Sequence, residues 1–303
     1  TLERPRVGLV LGGGGARGAA HIGVLDVLRK QRIPIDCVAG TSMGGLITGA
    51  LAAGLSPDEM MAAMEKADWR DMFNDSPPVN ELNPRRKTLS RLYLPGSETG
   101  VSSDGVASLP GVVDGQKIKL FINALVHSEY GDPQIENLPI PISIISTDLV
   151  TGGKVVFRSG SLTKAMRASM SVPGAMSPVK DGERLLVDGA LVANVPIEEV
   201  RDQCNADVII AVNVGSPLLK AEQIRGVPST MAQMLNILTQ QNVTRSLASL
   251  KPGDILITPE LEGVGASEFD RYRETAARGR AAAEALLYML RKLSIDKKDY
   301  EER

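Results

Sequence analysis

Short apolar runs alternate with stretches of helical periodicity along most of the chain. The apolar runs predict strands at 6–11, 36–41, 140–147, 154–158, 207–214 and 254–258, with a further strand that ends at Asp188. Apolar residues at helical spacing predict helices at 17–31, 43–53, 116–127, 161–169, 229–249 and 268–293, and further helices that begin at Pro57 and Pro196. Because strands and helices alternate, we expect a three-layer α/β fold in which helices cover both faces of a mostly parallel sheet.

Length and charge exclude several classes of protein. The chain has 303 residues, enough to bury a large core, and a formal net charge of −2. This balance provides no basic face, so we expect no nucleic-acid partner. Every apolar run is shorter than the roughly 20 residues that span a bilayer. Cys37 and Cys204 lie in or near apolar segments, and we interpret them as reduced core thiols that form neither a disulfide framework nor a metal cluster.

The most specific motif is a G-x-S-x-G pentapeptide with Gly40, Ser42 and Gly44 at its fixed positions. It follows an apolar run and precedes Leu46 and Ile47, so it lies between a predicted strand and a predicted helix. In that context the motif places a serine hydroxyl on a sharp turn at the end of a strand. Glycines are needed there because the turn leaves no room for Cβ atoms beside the serine. An ordinary strand-to-helix turn is the alternative interpretation of this motif alone.

A second glycine-rich turn, at 12–18, follows the first predicted strand and also opens a helix. In a parallel sheet both turns lie at the same edge, where free N–H groups attract an anion and would form an oxyanion hole beside the serine. Gly13, Gly15 and Gly18 also match the G-x-G-x-x-G pattern of dinucleotide-binding proteins. That pattern requires an acidic residue at the end of the second strand, whereas Asp36 stands at its beginning, so we disfavour a dinucleotide-binding oxidoreductase.

A serine nucleophile needs a base within hydrogen-bond reach. The chain has two histidines, and the usual order of serine, acid and histidine would need the acid to lie between Ser42 and His127. Asp68, Asp71 and Asp75 lie there, but none of them stands at a convincing strand end. We interpret His21 as a helix residue packed beside the sheet and His127 as an exposed residue at a helix end. Asp188 follows a short apolar strand and precedes Gly189, and partial burial there would raise its pKa and make it a better base. A turn-forming aspartate is the alternative.

Three motifs taken in order resemble those of the patatin-like phospholipases. The signatures G-G-G-x-[RK]-G, G-x-S-x-G and D-G-[GA] match residues 13–18, 40–44 and 188–190. The segment 168–174 also resembles the stretch shortly before the aspartate of that family. The resemblance covers roughly residues 5–215, and it implies the patatin-like fold.

The resemblance also implies roles for individual residues. It implies a Ser–Asp dyad, with Ser42 as nucleophile and Asp188 as base, and an oxyanion hole from the backbone of Gly13, Gly14 and Gly15. It requires no metal or other cofactor. Arg17 is interpreted either as a salt-bridge partner near the helix start or as a residue that holds the glycine loop or favours an anionic headgroup. The supporting residues are Arg17, Gly18, Gly40, Gly44 and Gly189.

The function implied by the resemblance is lipid acyl hydrolysis of the phospholipase A type, on a phospholipid or another acyl ester. We expect a peripheral contact with a membrane surface and consider a homodimer. A non-catalytic lipid-binding or regulatory protein is the alternative. Residues beyond 215 resemble the bacterial branch and, more narrowly, the patatin passengers of type V autotransporters. This implies a secreted or cell-surface protein, with a cytoplasmic location as the alternative.

Residues 75–115 show no periodicity and are rich in Asn, Pro, Ser and Gly. Such a stretch is longer than an ordinary loop, so we predict a surface flap near the site. Its basic run, Arg85-Arg86-Lys87, and the neighbouring Leu92–Leu94 could meet an anionic lipid surface, while a solvated loop is the alternative. We expect residues 1–303 to form one domain, with 229–293 as its C-terminal helical part.

Overall fold

The computed structural model describes residues 4–302 except for 74–98, 103–104 and 109–110. Its strands are β1 (Val7–Leu11), β2 (Cys37–Thr41), β3 (Thr99–Ser102), β4 (Gly105–Ser108), β5 (Gly111–Val113), β6 (Ile142–Asp148), β7 (Lys154–Phe157), β8 (Gly174–Met176), β9 (Val179–Asp181), β10 (Arg184–Asp188), β11 (Val208–Val212) and β12 (Ile255–Ile257). Its α-helices are α1 (Ala20–Lys30), α2 (Met43–Ala52), α3 (Pro57–Lys66), α4 (Trp69–Met72), α5 (Gln116–Leu125), α6 (Leu162–Ser169), α7 (Ala190–Ala193), α8 (Ile197–Cys204), α9 (Val227–Ala248), α10 (Tyr272–Glu284), α11 (Leu287–Leu290) and α12 (Lys297–Glu301).

Eight strands form one mixed sheet. Seven of them follow the order β12-β11-β1-β2-β6-β10-β9, and β7 pairs with β6 as the eighth. The five strands from β12 to β6 are parallel, whereas β7, β9 and β10 are antiparallel to the strands they pair with. The mostly parallel sheet expected from the alternation of strands and helices is therefore confirmed.

Successive residues of the central strands belong to different layers of the core. In β1, Leu9 and Leu11 join the apolar cluster on one face of the sheet, and Val10 joins the cluster on the other face. The same alternation separates Val38 from Ala39 in β2. Because side chains alternate across a sheet, a strand that is apolar throughout must be covered on both faces. The expected three-layer architecture follows.

The C-terminal region differs from the single helix predicted at 268–293. A 3₁₀ turn at Phe269–Arg271 is followed by α10, and the helical path breaks before α11. Helix α10 packs so closely on α1 that a Cβ atom on Gly23 or Gly279 would overlap the backbone of the opposite helix. Beyond α10 the chain turns into α11, whose last residue, Leu290, is completely buried in the core.

The sequence pattern did not predict several short elements. Strands β8 and β9 have three residues each and helix α7 has four, which is too little chain to show a period. Most of the predicted flap, including Arg85-Arg86-Lys87 and Leu92–Leu94, lies outside the described residues, so that prediction stays untested. In the described remainder, β3 pairs antiparallel with β4, and β5 pairs in parallel with β8.

The two cysteines form a disulfide, so the prediction of reduced thiols is wrong. Cys37 begins β2 and Cys204 ends α8, and their Cα atoms are 6.2 Å apart although 167 residues separate them in sequence. Both cysteines belong to the apolar layer that α8 covers. The sequence shows two distant apolar cysteines, and only the packing of α8 on β2 brings them together.

Candidate active site

A single strand, β6, aligns the two motif residues. Its first half pairs in parallel with β2, with Thr41 opposite Ile145, and its second half pairs antiparallel with β10, with Asp188 opposite Ser146. Strand β7 pairs with residues 144–147 of β6, a stretch that includes residues paired with β2 and residues paired with β10. Because a strand has one neighbour on each side, β7 must lie on the opposite side of β6 from both. Strands β2 and β10 consequently meet end to end along one edge, which brings Ser42, the residue after β2, beside Asp188.

Ser42 lies on a strained turn between β2 and α2. Its φ of 55° and ψ of −125° are rarely adopted by a residue with a side chain. The Ser42 N–H donates to Ser169 Oγ at 2.8 Å, and Ser169 Oγ donates to the Ile145 carbonyl at 2.5 Å. A Cβ atom on Gly44 would overlap the Leu11 carbonyl, so the helix after the serine can approach β1 only with glycine there. The other motif glycines are packed as closely, as the structure shows for Gly18, Gly40 and Gly189.

The Ser42 hydroxyl donates a hydrogen bond to Asp188 Oδ2 at 2.6 Å. The other carboxylate oxygen, Oδ1, accepts the Ala190 N–H at 2.8 Å. Asp188 is buried, and this burial raises its pKa from the ordinary 3.8 to about 6, although the hydrogen bonds from Ser42 and Ala190 oppose the rise. A carboxylate with a pKa nearer to neutrality is a better proton acceptor than an exposed aspartate.

The glycine loop that follows β1 lies directly against Ser42. A Cβ atom on Gly13 would lie 2.9 Å from the Ser42 Cβ. The Gly13 N–H is already engaged, since it donates to Asn194 Oδ1 at 3.2 Å and to the Asn194 carbonyl at 3.3 Å. Within the described chain, the N–H groups of Gly14 and Gly15 donate to no protein acceptor. Of the three amides predicted to bind an oxyanion, these two are available to a ligand.

Two buried asparagines, which the sequence did not single out, hold this loop in place. Asn194 Nδ2 donates to the Gly13 carbonyl at 3.1 Å, so the Asn194 side chain bonds both polar groups of Gly13. The Asn194 N–H donates to Asn242 Oδ1 at 2.9 Å, and Asn242 Nδ2 donates to the Ala190 carbonyl at 2.7 Å. The network connects α9 and the start of α7 to the glycine loop. Asn194 belongs to none of the three sequence motifs, so the sequence carried no chemical signal for it.

Arg17 is buried among backbone carbonyls. Burial lowers its pKa, while the charge of Glu260 acts in the opposite direction. Its guanidinium contacts join the glycine loop to two other loops, which favours the loop-holding interpretation over a salt bridge or a headgroup contact. The four carbonyl acceptors, at 2.8–3.2 Å, belong to Val214, Gly215, Leu261 and Val264.

The two histidines lie apart from this chemistry. His21 is buried, its Nε2 is 2.7 Å from the Gly12 carbonyl, and its Nδ1 has no partner within the described chain. Burial lowers the His21 pKa to about 4, so the ring is neutral at pH 7. His127 is exposed and lies two residues after α5. The hydroxyl of Ser42 instead donates to a carboxylate.

A cavity of about 250 Å³ opens beside Ser42 and Asp188. Helix α9 provides one wall, and the segment at 172–173 provides another. Walls that are mostly apolar, with a few polar groups, suit a ligand with an apolar part. The side chains that α9 contributes belong to Ala232, Leu235, Asn236 and Thr239.

Among the residues that the structure describes, no helix has both the length and the apolar character needed to cross a bilayer. Nor do three or more His, Cys, Asp or Glu side chains of the described chain cluster as metal ligands.

The fold and the site together define a three-layer α/β protein with a serine on a strained strand-to-helix turn and a buried aspartate beside it. Comparison with known proteins gives the family. The model of the patatin-like phospholipase family matches residues 9–201. The chain belongs to the patatin-like phospholipase family.

Individual relatives agree with this family. An uncharacterised NTE family protein of Mycobacterium tuberculosis is 35% identical over 233 residues, which cover 77% of this chain and 55% of that protein. Neuropathy target esterase of Drosophila melanogaster is 34% identical over 213 residues, 69% of this chain and 13% of that protein. The chain spans about half the length of the mycobacterial relatives that it matches.

Among solved structures, VipD from Legionella pneumophila has a similar fold. The two superpose with a TM-score of 0.53 at 14% sequence identity, over 95% of this chain and 67% of VipD. At that level of identity the likeness concerns the fold alone. The resemblance to autotransporter passengers stays a prediction.

Proposed function

We propose that this chain is a lipid acyl hydrolase of the phospholipase A type, which cleaves carboxylic ester bonds through a Ser–Asp dyad. The observation that carries the proposal is the 2.6 Å hydrogen bond from Ser42 Oγ to Asp188 Oδ2, two residues that line the cavity. The raised pKa of Asp188 supports the assignment of this carboxylate as the base. Membership of the patatin-like phospholipase family supports a lipid ester as the substrate.

In the proposed reaction, Ser42 Oγ attacks the ester carbonyl carbon while its proton passes to Asp188 Oδ2. The carbonyl oxygen becomes an oxyanion, which the free N–H groups of Gly14 and Gly15 stabilise. When this intermediate collapses, the C–O bond to the alcohol breaks, and Asp188 returns the proton to the leaving oxygen. Water then attacks the acyl-enzyme, with Asp188 again accepting and returning a proton, and Ser42 is released with the free fatty acid.

An active-site probe tests the nucleophile directly. A fluorophosphonate forms a covalent bond with an activated serine, so wild-type protein should be labelled and Ser42→Ala should not. Ser216 lines the same cavity and offers a matched control. Ser216→Ala should keep its labelling, because the hydroxyl that donates to Asp188 belongs to Ser42. Labelling that survives in Ser42→Ala but not in Ser216→Ala would assign the nucleophile to Ser216. A wild-type protein that resists labelling would favour a non-catalytic lipid-binding protein.

We further propose that the chain acts outside the cytoplasm, on a membrane surface, as a single domain. Disulfides persist in oxidising compartments, and the bond between Cys37 and Cys204 supports export. Fractionation of the host cell tests the compartment. Sedimentation velocity distinguishes a monomer from the predicted homodimer.

A further inference from the structure

Helix α9 carries an exposed apolar stripe. Four apolar residues follow one another at spacings of four, three and four, which places them on one side of a helix. Their side chains stay largely in contact with solvent rather than packing into the core. They are Val227, Met231, Met234 and Leu238, with exposed fractions of 73%, 48%, 60% and 46%.

The stripe lacks the charges that usually keep an exposed helix in water. From Val227 to Thr244 the helix has no Asp, Glu, Lys or Arg, and its first charged residue is Arg245. Charged residues make up 23% of the whole chain. The loop before α9 adds two more exposed apolar side chains, Leu218 and Ile224. The loop also carries exposed charges at Lys220, Glu222 and Arg225, so the uncharged surface is the part of α9 from Val227 to Thr244. Exposed apolar residues without charges among them are typical of a surface that binds an apolar partner.

The stripe is continuous with the wall of the catalytic cavity. On the helix, Leu235 is the neighbour of Met231 at the i+4 position, and it faces the cavity beside Ser42. The Met231 methyl group lies 3.6 Å from the position that a Cβ atom on Gly174 would occupy. Just before Gly174, Val172 lines the cavity and is itself 36% exposed. The apolar side chains on the outer side of α9 therefore border the residues that line the cavity.

We propose that α9 docks on the surface of a lipid bilayer or micelle through the stripe Val227–Leu238, so that an acyl chain can pass from the lipid into the cavity without crossing water. This proposal rests on the proposed lipid hydrolase function. The alternative partner for such a stripe is a second copy of the chain. The position of the stripe beside the cavity favours lipid, because a second copy bound there would stand at the entrance that the substrate must use.

The test measures binding to phosphatidylcholine vesicles by sedimentation, in a Ser42→Ala background that prevents hydrolysis. Met234 does not line the cavity, and Met234→Glu places a carboxylate in the middle of the stripe. We expect this change to weaken vesicle binding about ten-fold, because it removes an apolar anchor and adds a charge that must be desolvated. Adding Val227→Glu should weaken binding further.

Gln240→Glu is the matched control. It adds the same charge to the same helix, but Gln240 lies on the polar side, away from the stripe. We expect its vesicle binding to stay within about two-fold of the parent protein. Because the stripe is uncharged, binding should also persist in high salt, whereas electrostatic binding would be lost. In the active protein, Met234→Glu should slow hydrolysis of vesicle phospholipid and leave hydrolysis of a soluble short-chain ester unchanged.

Three results would overturn the proposal. The first is equal vesicle binding by Met234→Glu and Gln240→Glu, and the second is release of the parent protein by salt. The third is a dimer that Met234→Glu dissociates, in a protein that does not bind vesicles, which would assign the stripe to a second copy. Failure of the hydrolase function is a separate outcome, since the vesicle-binding assay uses the Ser42→Ala background and does not depend on turnover.

Discussion

Replacing Asp188 by asparagine should remove activity and at the same time stabilise the fold. Asparagine has nearly the same shape, can accept the Ala190 N–H through its Oδ1, and can donate from its Nδ2 to Ser42 Oγ. The variant therefore keeps the hydrogen-bond positions of the site but has no carboxylate to receive the serine proton. We expect turnover of a soluble ester to fall by at least about 10⁴, in the range found when a member of a catalytic serine site is removed.

The gain in stability follows from the raised pKa. Raising the pKa of a carboxyl group from 3.8 to about 6 corresponds to about 3 kcal/mol between its protonation states. Because the folded pKa of Asp188 lies above the unfolded one, the protein binds this proton more tightly when folded. That contribution is fully present below about pH 4 and is lost as the pH rises through about 6. At pH 8 the variant should therefore be more stable than wild type by up to about 3 kcal/mol.

Thermal unfolding at several pH values measures this difference. For a chain of this size, a gain of that magnitude corresponds to a rise in Tm of roughly 5 °C at pH 8, and the difference should shrink toward pH 4. In parallel, the kcat/KM of wild type for a soluble ester should fall about ten-fold between pH 7 and pH 5, as Asp188 becomes protonated. On this reasoning, the ionised Asp188 carboxylate lowers the free energy of unfolding at pH 8. An Asp188→Asn protein that loses activity but is no more stable than wild type at pH 8 would refute it.

Three further predictions concern the surroundings of the proposed dyad. Asn194→Asp places a carboxylate oxygen against the Gly13 carbonyl, so kcat for a soluble ester should fall about ten-fold to a hundred-fold with little change in KM. An unchanged kcat would show that Asn194 does not position the glycine loop. Cys204→Ser should lower the free energy of unfolding by about 2–5 kcal/mol in denaturant titrations, since the disulfide closes a long loop, and a reductant should do the same to wild type. Equal unfolding midpoints with and without reductant would contradict this. His127→Ala should retain esterase activity within about two-fold because the residue is exposed, and a folded but inactive variant would argue for a histidine base.

Local sequence determined the order of elements and the motifs of the site. Apolar runs of β1 and β11 predicted buried parallel strands, because a strand without polar residues must be covered on both faces. The glycines around Ser42 predicted a tight turn, because no other residue fits so close to a neighbouring backbone. These features depend on residues near one another in the chain, which is why the pattern alone was sufficient.

Contacts between distant segments were decided only by the tertiary structure. Ser42 and Asp188 are 146 residues apart, and they meet because β6 pairs with β2 and β10 along the same edge. The bond between Cys37 and Cys204 depends on how α8 lies on the sheet. The position of Asn194 under the glycine loop likewise has no local pattern to reveal it. Such contacts are set by the packing of complete layers, and packing depends on shape in three dimensions rather than on spacing along the chain.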